Sequence, residues 1–493
     1  MTDRAAPTDP DIPVNQSRSE SRRIEIDPIT RVEGHGKVSI HLNSAGEVDE
    51  ARLHIVEFRG FERFIEGRLL WEVPVIVQRL CGICPVSHHL AAAKAMDQIV
   101  GVDQLTPTAE KMRRLMHYGQ VLQSHVLHFF HLSSPDLLFG FDAPAEQRNI
   151  FAVIQAYPEL ARRAVLLRKF GQDIIEVTAG KKIHGTGAIP GGINRHLTLE
   201  ERDRLLGQID ELTQWCRDAL KVAENYCEQH LDMLKSFASF ESNFLSLVRE
   251  DGALDLYHGV LSAQDALGHP IFAEADLTRF NHYLHEEVKD WSYMKFPFIQ
   301  SLGPESGWYR VGPLARINNC KGMTTSEADL ALKRFRAVLG KHCGHSLAYH
   351  WARMIEVLHC IEVIARLLED SDLLTGERVI KGVRREEGIG MIEAPRGTLI
   401  HHYKVDEHDQ VQFCNLIVST THNNTAMNRA ITMVAKQHLN GQPNLDDALL
   451  NHVEVAVRAY DPCLSCATHA LGQMPLQIEL LDAQGQRLQM LSR

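Results

Sequence analysis

The chain has 493 residues, 44% of them hydrophobic and 23% charged, so it can bury a large core. Its formal net charge of -11 argues against a nucleic-acid partner, because surfaces that bind phosphate carry a basic excess. The sequence contains no apolar run of the length that a membrane-spanning helix needs.

The N-terminal stretch, residues 1–23, is rich in Pro, Asp, Ser and Arg and has no apolar segment. It is therefore typical neither of a secretory signal nor of a helical anchor, and we predict a disordered extension. A cytoplasmic location follows as the default. The folded body is predicted to begin near Ile24.

Hydrophobic periodicity then predicts one hairpin followed by helices. Residues 36–58 alternate apolar and polar positions around a turn, as a half-buried β-hairpin does. Thr106-Pro107 is typical of a helix start, because threonine caps free amides and proline suits the first helical position. Thr198 and Glu201 have the spacing of a capping box. One face of the helix that follows carries Leu205, Ile209, Leu212, Trp215 and Leu220.

The sequence of the second half of the chain predicts further helices that are separated by loops. A long helix is expected from Ser346 to Leu368 and a shorter one from about Asp446 to Val457. The Gly-rich residues 184–194 and the region from Asp251 to Pro304 are typical of loops. The sequence therefore predicts a mostly α fold with minor β: a single large helical-bundle subunit with small peripheral strands.

Two Cys-x-x-Cys pairs stand near the two ends of the chain: Cys81 with Cys84, and Cys463 with Cys466. Four thiolates select zinc, an iron–sulfur cluster or a thiophilic transition metal. On spacing alone a structural zinc site is favoured, because Cys₄ zinc sites are common. The nearly 380 residues between the pairs favour instead an active centre embedded in a large body.

The remaining six cysteines are scattered singly, so they are interpreted as small buried hydrophobic residues. The sequence has no further Cys-x-x-Cys cluster and no convincing Gly-x-Gly-x-x-Gly motif between a strand and a helix. Electrons that reached a metal in this chain would therefore have to leave through a partner.

The residues around the cysteines resemble a known family. The segments Arg79–His88 (Arg-x-Cys-Gly-x-Cys-x-x-x-His) and Asp461–His469 (Asp-Pro-Cys-x-x-Cys-x-x-His) are similar to the two signatures of nickel–iron hydrogenase large subunits. Residues 31–35, 58–62 and 393–397 also match the family, in the expected order. The resemblance covers nearly the whole chain from Ile24. It is closest to the soluble NAD-reducing (bidirectional) branch, whose large subunits carry stretches like 291–297 and 466–470.

The resemblance implies a Ni-Fe(CO)(CN)₂ centre. Nickel would take all four sulfurs, and Cys84 and Cys466 would also bridge to an iron that carries carbon monoxide and cyanide. The implied function is that of the catalytic subunit of a nickel–iron hydrogenase, which cleaves H₂ heterolytically and reversibly. Its electrons would pass through partner subunits to NAD(P)⁺.

Five further positions match residues that act at this centre in the family. Glu33 matches the glutamate that moves the proton away from a nickel thiolate. Arg396 matches the arginine that lies over the iron and donates to a cyanide, and Asp461 matches the acid that pairs with it. Thr420 matches the hydroxyl that bonds the other cyanide, and His88 matches the histidine that donates to a bridging cysteine sulfur.

A magnesium site is also implied by the resemblance. Glu62 and His469 match its side-chain ligands, together with a backbone carbonyl near Leu416.

Two positions depart from the family pattern. Ser124 stands where many members carry an aspartate near the iron, and Ser419 stands where many carry a proline.

The C-terminal tail has two interpretations. Precursors in the family are cut just after the histidine of the second signature, here between His469 and Ala470. The resemblance thus implies a catalytic body over 24–469 and a peptide, 470–493, removed by a maturation endopeptidase. From its residues alone the tail is typical of a terminal strand before a turn at Gly485, since apolar residues alternate at Leu476, Ile478 and Leu480.

The resemblance implies partners as well: an iron–sulfur small subunit, and beyond it flavin-containing subunits that reduce NAD(P)⁺.

Two other functions remain open. One is a hydrogen-sensing relative with little turnover, and the other is a structural Cys₄ zinc protein. The quinone-site subunit of respiratory complex I resembles the fold, but it lacks the nickel thiolates.

Overall fold

The computed structural model describes residues 23–441, 446–468, 477–481 and 487–492. About 50% of the structure is helical and 18% is strand, which confirms the predicted mostly α fold. The helices are α1 (Phe61–Ile65), α2 (Val73–Ile76), α3 (Pro85–Ile99), α4 (Pro107–Leu127), α5 (Ser134–Phe139), α6 (Ile150–Ala156), α7 (Pro158–Ala179), α8 (Leu199–Leu206), α9 (Ile209–Gln229), α10 (Leu231–Ser236), α11 (Gly303–Ser306), α12 (Pro313–Asn319), α13 (Ser326–Leu339), α14 (Ala348–Leu368), α15 (Ser419–His422), α16 (Asn424–Leu439) and α17 (Asp447–Ala459).

The strands form small sheets with mostly antiparallel pairing. Their bounds are β1 (Arg23–Ile26), β2 (Gly36–Leu42), β3 (Val48–Ile55), β4 (Ala188–Ile189), β5 (Gly192–Ile193), β6 (Asn243–Val248), β7 (Val260–Gln264), β8 (Pro270–Ala275), β9 (Leu284–Glu287), β10 (Phe296–Ile299), β11 (Tyr309–Arg310), β12 (Glu387–Ala394), β13 (Gly397–Val405), β14 (Val411–Ile417), β15 (Gln477–Leu481) and β16 (Arg487–Ser492). The sheets have the orders β1-β2-β3, β4-β5, β11-β6-β7-β8, β9-β10, β12-β13-β14 and β15-β16.

The elements that the strongest local sequence signals predict are present in the structure. Strands β2 and β3 form the hairpin, with Val38 paired to Leu53. Helix α4 begins at Pro107, and the Thr106 hydroxyl accepts a hydrogen bond from the Ala109 amide. The capping box of Thr198 is present, but its helix ends at Leu206 and α9 starts after Gly207-Gln208. The predicted long helices near 346–368 and 446–457 are α14 and α17.

The prediction of a loop from Asp251 to Pro304 was wrong. This region contains strands β7, β8, β9 and β10, of which β7 and β8 extend the sheet of β6. The strands have only four to six residues each. Such short segments, interrupted by Gly, Pro, Asp and His, leave too few positions for an alternating pattern to emerge.

Long helices fill the interior. Helix α14 packs against α4 and α9, and α4 packs against α7. Most residues of α14 are buried, including the polar side chains of His350, Arg353, Glu356 and His359. In the described part of the chain, no helix is long and apolar enough to cross a membrane.

One sheet lies inside the body instead of at its edge. Strands β12 and β13 are buried along almost their whole length, and helix α3 packs directly on β12. Gly388 and Gly390 permit this approach: a Cβ at either position would lie 2.0 Å from the Ala95 carbonyl oxygen or 1.9 Å from that of Ala91. The close packing fixes the start of α3 relative to the loop after β12.

Replacing Gly390 with alanine tests this packing. We expect Gly390→Ala to push α3 away from β12 and to lower the stability by about 1–3 kcal/mol, as overpacked cores do. The denaturation midpoint of the purified chain measures the loss. Gly207→Ala is the control, because Gly207 has ordinary helical backbone angles and a Cβ there would lie 3.3 Å from its nearest neighbour. Equal midpoints for the two variants would contradict the interpretation.

Candidate metal centre

The four cysteines of the two pairs meet in the interior. Cys81 follows a 3₁₀ turn (Val77–Leu80), Cys84 directly precedes α3, and the second pair lies at a short 3₁₀ turn (Leu464–Cys466). All four side chains are buried, and their sulfur atoms lie within 4.8 Å of one another. Two segments that are 382 positions apart therefore contribute to one cluster.

The sulfur atoms are close enough to share protons. Cys81 Sγ lies 3.2 Å from Cys463 Sγ, and Cys84 Sγ lies 3.7 Å from Cys466 Sγ. A hydrogen bond from the Cys463 thiol lowers the pKa of Cys84 to about 6, whereas burial raises the pKa values of Cys463 and Cys466. Four soft donors at this spacing fit a thiophilic metal, whose charge would replace the protons.

Glu33 lies against the second cysteine pair. Its backbone forms a parallel bridge with Cys463, and its carbonyl oxygen accepts a hydrogen bond from the Leu464 amide at 2.9 Å. Its carboxylate contacts Cys463 Sγ at 3.0 Å and accepts from the Ser465 amide at 3.2 Å. Gly34 has φ +84°, and a Cβ there would lie 2.6 Å from the Ser465 nitrogen, which explains the glycine.

Arg396 lies in the tight turn between β12 and β13, and it makes the expected pair with Asp461. Its Nη2 donates to Asp461 Oδ1 at 3.0 Å, and its Nε donates to the Asp461 carbonyl at 2.6 Å. Burial raises the pKa of Asp461 to about 6, although Arg396 opposes the shift. Ser124, at the first departure from the family pattern, places its hydroxyl 3.5 Å from Arg396 Nη1.

A buried ion network supports this turn. Arg316 pairs with Glu356 and Glu393, and it donates to the carbonyl oxygens of Ala394 at 2.9 Å and Pro395 at 3.2 Å. Glu356 also contacts His125. The backbone at the end of β12, where it enters the β12–β13 turn, is thus held by hydrogen bonds from the interior.

A small cavity lies between the cysteines and the Arg396 turn. Its lining comprises Cys84, Ser87, His88, Ala394, Pro395, Arg396, Leu399, Val418, Ser419, Thr420 and Cys463. The Thr420 hydroxyl accepts from the Cys463 amide at 2.9 Å, and the Ser419 hydroxyl donates to the Gly397 carbonyl at 2.7 Å. The wall thus combines hydrogen-bond donors with apolar side chains beside two of the sulfurs.

His88 is connected to two residues that lie outside the sequence motifs. Its Nδ1 lies 3.1 Å from His401 Nε2, and His401 Nδ1 lies 2.7 Å from the Tyr403 hydroxyl. His401 and Tyr403 are on β13, more than 300 positions after His88. Nothing in the local sequence of β13 indicates this contact.

Glu62 lies in a separate polar cluster. Its Oε1 accepts from the Leu416 amide at 2.9 Å and from Lys295 Nζ at 3.2 Å, and Lys295 also pairs with Glu286. Burial raises the pKa of both carboxyl groups. Glu286 Oε1 and Asn415 Oδ1 are buried without a hydrogen-bond partner in the described chain. Such oxygens are of the ligand type that a hydrated magnesium ion takes, but the Lys295 ammonium already pairs with both carboxylates, and the Leu416 group at Glu62 is its amide instead of the expected carbonyl. His469 and Ala470 lie outside the described residues.

Comparisons with known proteins agree with the geometry. The family profile described as "Nickel-dependent hydrogenase" matches residues 59–149 and 248–469, and one described as "HoxL-like" matches residues 23–58. The NAD-reducing hydrogenase HoxS subunit beta of Cupriavidus necator is 47% identical, covering 94% of this chain and 98% of the relative. The matching chain of the F420-non-reducing hydrogenase of Methanothermobacter thermautotrophicus is 40% identical over the same shares.

Solved structures show the same fold. An NAD⁺-reducing [NiFe]-hydrogenase in the H₂-reduced state has a TM-score of 0.89 and 57% identity, covering 91% of this chain and all of that chain. A Ni-Fe-Se hydrogenase from Desulfovibrio vulgaris Hildenborough shares the fold alone, with a TM-score of 0.74 and 24% identity. Since the family profile covers most of the chain and ends just past the cysteine pair that completes the buried cluster, this chain belongs to the large subunits of the nickel-dependent hydrogenases.

Proposed function

We propose that this chain is the catalytic subunit of an NAD(P)-reducing hydrogenase and cleaves H₂ reversibly at a Ni-Fe(CO)(CN)₂ centre. The proposal rests on the cluster of four buried sulfurs, which lies beside a small cavity lined by Arg396 and Thr420. The four cysteines would hold nickel, and Cys84 and Cys466 would also hold the iron. When bound, such a centre polarises H₂ and makes its heterolytic cleavage accessible.

Glu33 is the proposed proton acceptor. Its carboxylate already contacts Cys463 Sγ, so a proton held on that sulfur has an oxygen within hydrogen-bond distance. The Ser465 amide, which donates to the same oxygen, keeps the carboxylate in place. Proton transfer over one hydrogen bond requires this kind of fixed geometry.

Arg396 and Thr420 are proposed to hold the cyanide ligands, and His88 is proposed to donate to a bridging sulfur. Asp461 accepts from Nε and Nη2 of Arg396 and so holds the guanidinium in the wall of the cavity. The His401–Tyr403 pair holds the ring of His88 in a similar way. Residues that orient ligands and donors in this manner tune a metal centre.

Electrons are proposed to leave near Cys81, toward an iron–sulfur small subunit. The Cys81 carbonyl accepts from His184, whose other ring nitrogen contacts Arg79, and Gly82 is exposed. Large apolar side chains lie exposed in the segments that flank these residues in sequence: Phe58, Phe64, Trp71, Val75 and Ile183. Exposed apolar groups of this kind support a protein interface.

Flavin-containing subunits that reduce NAD(P)⁺ are proposed beyond the small subunit, because the relative in C. necator is an NAD-reducing hydrogenase. A cytoplasmic location is part of the same proposal, since nicotinamide cofactors are used there. A magnesium ion at Glu62, with His469 and a carbonyl near Leu416, is proposed to stabilise the C-terminal end of the mature chain.

An infrared spectrum of the purified complex tests the centre. We expect absorption bands of metal-bound carbon monoxide and cyanide, nickel by metal analysis, and H₂-dependent reduction of NAD(P)⁺. Cys84→Ser should remove the bands and the nickel, because the site loses a soft donor. Cys216→Ser, at a buried thiol of α9, should keep both. Zinc without nickel would support a structural site, and bands without turnover would support a hydrogen sensor.

Replacing Glu33 with glutamine tests proton transfer. We expect Glu33→Gln to lower H₂ oxidation by about 100-fold or more, since the amide cannot accept the proton. The metal content and the infrared bands should persist, because glutamine has the same shape. Exchange of H₂ with D₂O should fall together with turnover. Glu57→Gln, at an exposed carboxylate, is the control. Full activity of Glu33→Gln would rule out this role.

The mass of the active chain tests the processing of the tail. We expect the mature chain to end at His469, the residue at which the family match also ends. In the described part of the tail, β15 and β16 pair as an antiparallel hairpin, while Ala467 and Thr468 are buried. Mass spectrometry of active complex that showed an intact Arg493 would refute the cleavage. The precursor from cells lacking nickel provides the uncut reference.

A further inference from the structure

A serine hydroxyl on the cavity wall has no partner in the chain. Ser87 lies on the first turn of α3, three residues after Cys84, and it is completely buried. Its Oγ contacts no hydrogen-bonding group among the described residues, and the side chain lines the cavity beside Cys84 and Arg396. A buried unpaired hydroxyl is costly, so its persistence at this position needs an explanation.

The local backbone does not use this hydroxyl. A serine hydroxyl on a helix can donate to the carbonyl four residues earlier, which here belongs to Ile83. That carbonyl instead accepts from Gln120 Nε2 at 2.8 Å and from Gln123 Nε2 at 3.1 Å. Two side-chain amides from α4 thus occupy the acceptor that would otherwise take the Ser87 proton.

The sulfur of Cys84 does not use it either. No hydrogen bond joins Ser87 Oγ to a sulfur of the cluster, although both residues line the cavity. The neighbouring hydroxyl of Ser419 is already committed to the Gly397 carbonyl. Ser87 is therefore a free donor on the α3 side of the cavity, whereas Arg396 and Thr420 approach from the segments around β13 and α15.

We propose that the Ser87 hydroxyl donates a hydrogen bond to the nitrogen of an iron-bound cyanide. This inference rests on the proposed function and adds a third donor to the two that the resemblance assigns. Cyanide would be the appropriate acceptor, because its nitrogen carries negative charge and can accept a hydrogen bond. Ser87 then belongs to the residues that bind the cofactor.

Infrared spectroscopy of the complete complex carrying Ser87→Ala tests the proposal. The nitrogen lone pair is weakly antibonding for the C–N bond, so a hydrogen bond stiffens that bond. We expect Ser87→Ala to shift at least one cyanide band to lower frequency, beyond the spectral resolution. Ser87→Thr, which keeps the hydroxyl, should restore the native position. Ser242→Ala is the matched control, because Ser242 also has a buried, unpartnered hydroxyl but lies outside the cavity.

The outcomes separate this inference from the proposed function. Carbon monoxide and cyanide bands in the native complex, with unchanged cyanide bands in Ser87→Ala, would overturn the role of Ser87 alone. Absence of these bands from the native, nickel-containing complex would overturn the proposed function. If Ser87→Ala does not assemble, Ser87→Cys serves in its place, because a thiol is a weaker donor of similar size. The same band should then shift in the same direction by a smaller amount.

Discussion

Four sulfur atoms within 4.8 Å of one another, all buried, impose the constraint on which the rest of this structure depends. Four thiolates cannot be buried together without a compensating charge, and thiols this close must share protons. Accordingly, hydrogen bonds lower the pKa of Cys81 and Cys84, while burial raises that of Cys463 and Cys466. A bound cation removes this conflict, so metal binding and completion of the fold stabilise each other.

The constraint also explains how the two ends of the chain are joined. The segment before β2 forms a bridge to the second cysteine pair through Glu33. The first cysteine pair is held at the start of α3, which two glycines allow to pack directly on β12. The β12–β13 turn, supported by Arg316, then carries Arg396 to Asp461, next to the second pair. Each contact spans many residues of the chain, so the site exists only in the complete fold.

The sequence predicted what depends on neighbouring residues or on long motifs. The Thr106 and Thr198 caps, the hairpin and the α14 helix follow from local chemistry, and the motifs identified the residues that meet around the cysteines. Contacts between distant elements could not be predicted in this way. The pairing of His88 with His401 and of Glu62 with Lys295 depends on how distant elements of the fold pack together. The four strands after β6 were missed because none is longer than six residues.

The cavity wall has both apolar and charged side chains, so it suits an occupant that carries both apolar and polar groups. Leu399, Val418 and Pro395 offer it only apolar contact, whereas Arg396 offers a cation. The internal bonds of Arg396 run mainly to Asp461, because Ser124 supplies a hydroxyl in place of a second acid. The guanidinium therefore pairs with one carboxylate, and the sulfurs of Cys463 and Cys84 also favour its charged form. An occupant that presents both apolar and hydrogen-bond-accepting groups would match both kinds of wall.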